Sequence, residues 1–199
     1  MRDLEPLHVA RSELILGGQK SGKSRRAEAL AQAWLSQSGA HRVVLIATAQ
    51  AGDDEMRQRI ARHQADRAQR LPGITTLEVP LALAEAVHGH SRADTLIIVD
   101  CLTLWLTNAL MPLQAAPAAA QIPAVDQAAW TAQLMQAITS AAGPLVLVGN
   151  EIGLGVIPLG REVRAFVDAL GLLNQAAARH CQRVTLMAAG LPLSLKDAS

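Results

Sequence analysis

Glu13-Leu-Ile-Leu-Gly-Gly-Gln-Lys-Ser-Gly-Lys-Ser24 is the stretch whose reading decides the fold. Leu14 to Leu16 form a short apolar run, Gly17-x-x-x-x-Gly22-Lys23-Ser24 has the spacing of a phosphate-binding loop, and Arg25 to Trp34, rich in Ala, Leu, Glu and Arg, reads as helix. Strand, loop and helix thus come in the order the motif requires. Across Gly17, Gly18, Gln19, Lys20, Ser21 and Gly22, the glycines let successive backbone N–H groups turn inward around phosphate oxygens. The following helix presents its positive N-terminal end to the same anion. Lys23 is expected to reach the β- and γ-phosphates, and the Ser24 hydroxyl to ligate Mg²⁺. The competing reading is a Gly/Ser turn before an ordinary helix, but the flanking strand and helix patterns favour nucleoside triphosphate binding.

Around this motif, 199 residues suffice for one α/β domain and are short for two. The expected division is a flexible lead-in over 1–12, a single nucleotide-binding domain over 13–190 and a polar tail over 191–199. With 2% aromatic residues the core must be built from Leu, Val, Ile and Ala. A net charge of +1 supplies no broad field for a polyanion, so a small molecule is a better partner than nucleic acid. Cys101 and Cys181 lie in apolar surroundings without zinc-site spacing, which suits a reduced cytoplasmic interior. The longest apolar stretch, Thr95 to Leu113, is broken by Asp100 and Asn108 and divides into a β-rich and a helical half, so no membrane span is read.

Further along, strands are expected at Arg42 to Thr48, Ile74 to Val79, Thr95 to Asp100, Pro144 to Gly149 and Arg183 to Ala188, with the second of these near a sheet edge before Pro80. Helices are expected over 54–70, 81–87, 102–110, 126–142 and 161–180, the first capped by Asp53. Met111 to Pro123, rich in Ala and Pro, reads as a surface excursion. The alternation predicts a P-loop NTPase-like α/β three-layer sandwich: a mainly parallel sheet flanked by helices, with the site along the carboxyl ends of its strands. Asp100 ends an apolar strand and is a candidate Mg²⁺ ligand, directly or through water; the alternative is a strand-end cap for the next helix. Asn150-Glu-Ile-Gly-Leu-Gly-Val-Ile-Pro158 is either a ligand-contacting stretch at a strand's carboxyl end or a plain glycine-rich connection.

No Asn-Lys-x-Asp guanine-reading motif is present, and the chain lacks the signature segment of a transporter ATPase. Elimination favours a small-molecule kinase. The helix over 54–70 adds a second possibility, because His63 sits among Arg59, Arg62 and Arg67. A neutral imidazole can attack an α-phosphorus, and nearby guanidinium groups would spread the charge of the transition state. The plain alternative is a solvated surface histidine.

Gly17 to Arg25 with Ala27-Glu28, Ile46-Ala-Thr48, Asp53-Asp-Glu-Met56, Arg59-Ile60-x-x-His63 and Asn150 to Pro158 together resemble the bifunctional adenosylcobinamide kinase/adenosylcobinamide-phosphate guanylyltransferase family of cobalamin biosynthesis. The resemblance runs from Glu13 to about Met187. It implies phosphorylation of adenosylcobinamide by ATP or GTP, then guanylylation of a histidine by GTP and transfer of GMP to adenosylcobinamide phosphate. By resemblance, His63 is the guanylylated residue, Ala47, Thr48 and Ala49 form a nucleotide-contacting strand end, and Gln64, Ala65, Asp66 and Arg67 are GTP contacts. Glu78 and Asp100 match further nucleotide-site acids. The resemblance also implies a homo-oligomer, a trimer, and the loop and His63 are expected to meet over one guanosine nucleotide. Lys20 stands where relatives often carry Arg, and Arg62-His63 where some carry two histidines. The rival readings are a P-loop kinase without guanylyl transfer and a non-catalytic GTP-binding protein, which would release no pyrophosphate.

Overall fold

The computed structural model describes residues 7–112, 127–156 and 158–197, without the side chains of Arg59, His63, Asp66, Arg67 and Ala68. Seven strands and six helices are found among them: β1 (Ser12–Gly17), α1 (Lys23–Gln37), β2 (Arg42–Ala47), α2 (Asp54–Arg70), β3 (Thr75–Glu78), α3 (Leu83–His90), β4 (Thr95–Asp100), α4 (Leu102–Leu110), α5 (Gln127–Ser140), β5 (Leu145–Val148), α6 (Arg161–His180), β6 (Arg183–Ala188) and β7 (Leu191–Asp197). They form one sheet in the order β3-β2-β4-β5-β1-β6-β7. Every pair is parallel except β6 with β7.

The central strands are apolar without interruption because both faces are covered, as parallel sheets require. Leu14, Leu16, Ile97, Val99 and Leu147 pack toward α3 to α6, while Ile15, Leu45, Ile98 and Val146 pack toward Ala27, Leu30 and Ala31 of α1. The result is the mainly parallel three-layer P-loop NTPase-like sandwich expected. β3 is the edge strand its terminal Pro80 suggests. Asp53 caps α2, its Oδ1 accepting the Met56 N–H at 2.7 Å.

Two ends of the chain differ from expectation. The described part of the lead-in is not loose: Ala10 is buried, Leu7 and Val9 pack on the core beside α1, and Arg11 donates to the Thr139 carbonyl at 2.7 Å. Apolar residues at 7, 9 and 10 next to a buried strand are enough to order it. The segment expected as a polar tail forms β7 over Leu191–Asp197, because Leu191, Leu193 and Leu195 alternate and Ala189-Gly190, both at positive φ (51° and 81°), make the tight turn of a hairpin. Lys196 Nζ secures it by donating to the Ala178 and Cys181 carbonyls at 3.0 and 2.7 Å. From residue 113 onward the Ala/Pro-rich excursion lies outside the described residues.

Candidate active site

The carboxyl ends of β1 to β5 carry the predicted residues. After β1 the chain turns through Gly17 (φ 153°), Lys20 (φ 55°) and Gly22 (φ 104°) into α1. Gly17 is required by space as well as by φ: a Cβ there would stand 2.5 Å from the Met187 carbonyl oxygen of β6. The β6–β7 turn supports the loop from behind, the Gly190 N–H donating to the Ser21 carbonyl at 3.0 Å. Ser21 Oγ is buried without a hydrogen-bond partner among the described residues, so the loop holds an unspent hydroxyl beside Gly17. Gly18, Gln19 and Lys20 are exposed, and Lys23 is buried with Nζ on the carbonyls of Gly17 (3.0 Å) and Gly18 (2.6 Å). Ser24 follows, half-buried, in the first turn of α1.

A buried ion pair fixes the helix behind the loop. Glu13 of β1, 1% exposed, accepts from Arg26 Nε at 2.6 Å and from Thr185 Oγ1 at 2.8 Å, with Arg183 3.6 Å away. Such a pair gains little net stability over apolar packing, but leaving either charge alone is costly, so it sets the register of α1 on β1.

Asp100, Ala47 and Glu78 lie side by side at the ends of β4, β2 and β3. Val148 of β5 stands on the other side of Asp100. Ala47 and Ala49 are half-buried, leaving their backbone at the edge. Thr48 is a different case. It is fully buried, its Oγ1 donates to the Cys101 carbonyl at 2.7 Å, and its own carbonyl accepts from Asn108 Nδ2 at 2.7 Å. Its side chain is therefore structural, joining β2 to the Asp100-Cys101 segment. Asn108 also donates to the Pro80 carbonyl at 3.1 Å, so this amide ties three strand ends together.

His63, Gln64, Ala65, Asp66 and Arg67 fall within α2. Gln64 Nε2 reaches Glu78 Oε1 at 3.4 Å, which brings the middle of α2 to the end of β3. The far end of α2 is attached to the helix of the phosphate loop: Arg70 pairs with Glu28 at 2.9 Å, and the Arg70 carbonyl accepts from Gln32 at 3.0 Å. β3 and β1 are four sheet positions apart, about 19 Å at the usual strand spacing. The loop and the α2–Glu78 cluster thus occupy opposite parts of one edge, where the sequence reading expected them over a single nucleotide.

Sequence reasoning did not assign Glu151 or Asn174. The Glu151 N–H donates to the Gly17 carbonyl at 3.1 Å, and Asn174, 4% exposed in α6, donates through Nδ2 to the Asn150 carbonyl at 3.1 Å. The amide pair Asn174-Gln175 in an Ala/Leu-rich stretch of helix was the signal available. Beyond Glu151 lies a groove of about 560 Å³ bordered by Ile152, Gly155, Val156, Val167 and Leu172. Both cysteine thiols are inert: burial raises Cys101, with Asp100 adding to the effect, and pushes Cys181 up to about 12.

The geometry agrees with what this chain is similar to. A Pyrococcus horikoshii OT3 protein from a structural study of project PH0250 superposes with a TM-score of 0.50 at 11% identity, covering 98% of this chain and 90% of that one, a likeness of fold alone. "Bifunctional adenosylcobalamin biosynthesis protein CobP" of Pseudomonas aeruginosa is 47% identical over 184 residues, 92% of this chain and 96% of the relative. "Bifunctional adenosylcobalamin biosynthesis protein CobU" of Escherichia coli is 33% identical, covering 92% and 98% respectively. The family model described as "Cobinamide kinase / cobinamide phosphate guanyltransferase" matches residues 13–195, from the strand that opens the phosphate loop to the hairpin that supports it. The chain belongs to this CobU family.

Proposed function

We propose that this enzyme phosphorylates the aminopropanol hydroxyl of adenosylcobinamide with ATP or GTP. It then takes GMP from GTP onto His63 and passes it to the phosphorylated corrinoid, giving adenosylcobinamide-GDP. The observation that carries this reading is the phosphate loop, with Lys23 and Ser24 at the start of α1, on the same sheet edge as Asp100, Glu78 and the helix of His63. Gly17, Gly18, Gln19, Lys20, Ser21 and Gly22 supply backbone donors to the phosphates, and Lys23 balances charge on the transferred group. Ala47 and Ala49 offer backbone contacts, and Glu78, Gln64, Ala65, Asp66 and Arg67 surround the guanylylation centre.

The donor set fits Mg²⁺: Ser24 and Asp100 offer hard oxygen ligands, and no group of three or more His, Cys, Asp or Glu residues gathers as a metal cage among the described residues. That is the sparse protein ligation expected of a magnesium ion held mainly by substrate phosphates and water. Bound there, Mg²⁺ would neutralise charge on the phosphates. We infer that 13–197 works as one nucleotide-binding domain, β7 included, and that the protein acts in the cytoplasm, consistent with its two unbridged cysteines. No helix of the described residues is long and apolar enough to cross a membrane. We infer the homotrimer that the family resemblance implies; the exposed apolar side chains of Leu154, Val156, Leu159, Leu191 and Leu193 offer surface for contact between subunits.

The test is incubation with GTP labelled at the α-phosphorus. An acid-labile, base-stable protein adduct that forms with release of pyrophosphate and disappears in His63→Ala is expected. No adduct on the unmodified chain would leave only the kinase half of the reading.

A further inference from the structure

The phosphate chemistry above leaves Asn150 to Pro158 without a task, although the stretch starts at the phosphate loop itself. One carbonyl, that of Gly17, accepts from Lys23 Nζ at 3.0 Å and from the Glu151 N–H at 3.1 Å, so the residue bearing the carboxylate and the ammonium are fixed to the same atom. The Glu151 carboxylate is itself held in place. Oε1 accepts the Gly153 N–H at 2.9 Å, and Oε2 stands 3.5 Å from Asn174 Nδ2. Asn174 is buried on the apolar inner face of α6 beside Leu170, Leu173 and Ala177, a costly position for an amide unless its bonds are spent on something. Nδ2 is spent on the Asn150 carbonyl at 3.1 Å, while Oδ1 is buried with no hydrogen-bond partner among the described residues; Thr103 Oγ1 holds the Asn150 N–H at 2.9 Å. The residue is half-exposed, so the carboxylate is braced from the protein side with solvent access remaining.

We propose that Glu151 is the general base of the phosphoryl-transfer step, with Asn174 as its positioning residue; this rests on the kinase reading above. As the acceptor hydroxyl oxygen bonds to the γ-phosphorus, the bond from that phosphorus to the β–γ bridging oxygen breaks. The electron pair leaves with the nucleoside diphosphate. The hydroxyl proton passes to a Glu151 carboxylate oxygen and from there to water, and nothing is oxidised or reduced. A carboxylate accepting the acceptor's proton is the arrangement phosphoryl-transfer enzymes use when the nucleophile is an alcohol. The groove that begins one residue later gives a bulky acceptor room behind its hydroxyl.

Glu151→Gln keeps the shape and removes the base. It should lower kinase kcat at least about a hundredfold, the usual contribution of a positioned general base. Adduct formation on His63 from α-labelled GTP, measured without acceptor, should stay within about twofold and so report an intact fold. Glu151→Asp should recover part of the rate. Asn174→Ala should lie between wild type and Glu151→Gln in kcat with KM for the nucleotide unchanged. Glu151→Gln retaining most of the kinase rate, or losing both activities in parallel, overturns the proposal. So does a variant rescued by raising Mg²⁺, which would make Glu151 a metal-site residue. A wild-type chain that forms the adduct but never phosphorylates the acceptor overturns the kinase reading, and the base with it.

Discussion

Helices α1 and α2 both carry proposed nucleotide chemistry, and they are built in opposite ways. α1 is embedded: Ala27, Leu30 and Ala31 are at most 2% exposed, and Glu28 is 6% exposed. α2 buries none of its described side chains, with Met56 and Ile60 only half-covered. It is held at points: Gln64 on Glu78, Arg70 on Glu28, Gln32 on the Arg70 carbonyl, and Leu71, just past its end, 2% exposed in the core. The physical lesson is that a loop which must present several N–H groups to one anion is built on a packed element. The helix proposed to carry the nucleophile is attached at its middle and its carboxyl-terminal end, where local rearrangement costs far less than global unfolding.

That contrast can be tested from its strongest consequence down. Lys23→Ala removes the ammonium that balances charge on the transferred phosphoryl group and should cut kinase turnover at least about a hundredfold; retained turnover in a steady-state assay would remove the loop from the chemistry. Leu30→Ala should destabilise the fold by about 2–5 kcal/mol in urea titration, whereas Ile60→Ala on α2 should cost less than about 1 kcal/mol. Equal losses would erase the distinction between the helices. Arg70→Ala strands the buried Glu28 carboxylate and should cost about 1–3 kcal/mol, with hydrogen exchange rising in the last turn of α2 before it rises in α1. The smallest effect concerns pH. Cys181 is raised from its ordinary 9.0 to about 12, so its neutral form is favoured in the fold. Its contribution is complete below pH 9 and is lost as pH rises toward 12, where the unfolded chain gains by ionising. Cys181→Ser should flatten that alkaline decline in a thermal scan.

Much of this was legible in the chain. The strand–loop–helix at Glu13 to Ser24, the apolar strands and the Asp53 cap all follow from residues that are neighbours in sequence. Their periods and conformational limits are local, and the observed elements agree with them. β7 was also written locally, in alternating leucines after Ala189-Gly190, but Ser194, Lys196 and Asp197 disguised it as a solvated tail. Thr48 could be placed at the edge, yet nothing local says that its hydroxyl is used up on Cys101, a residue 53 positions away.

By itself, then, the sequence determined the phosphate loop, the parallel α/β class and the family, because glycine spacing and hydrophobic period constrain the backbone wherever they occur. Only the tertiary structure decided that Glu151 and Lys23 share the Gly17 carbonyl, that a buried Asn174 braces the Asn150–Glu151 pair, and that α2 stands at the far end of the edge from the loop. Those relations join residues far apart in the chain, and they are set by strand order and packing, which no local period encodes.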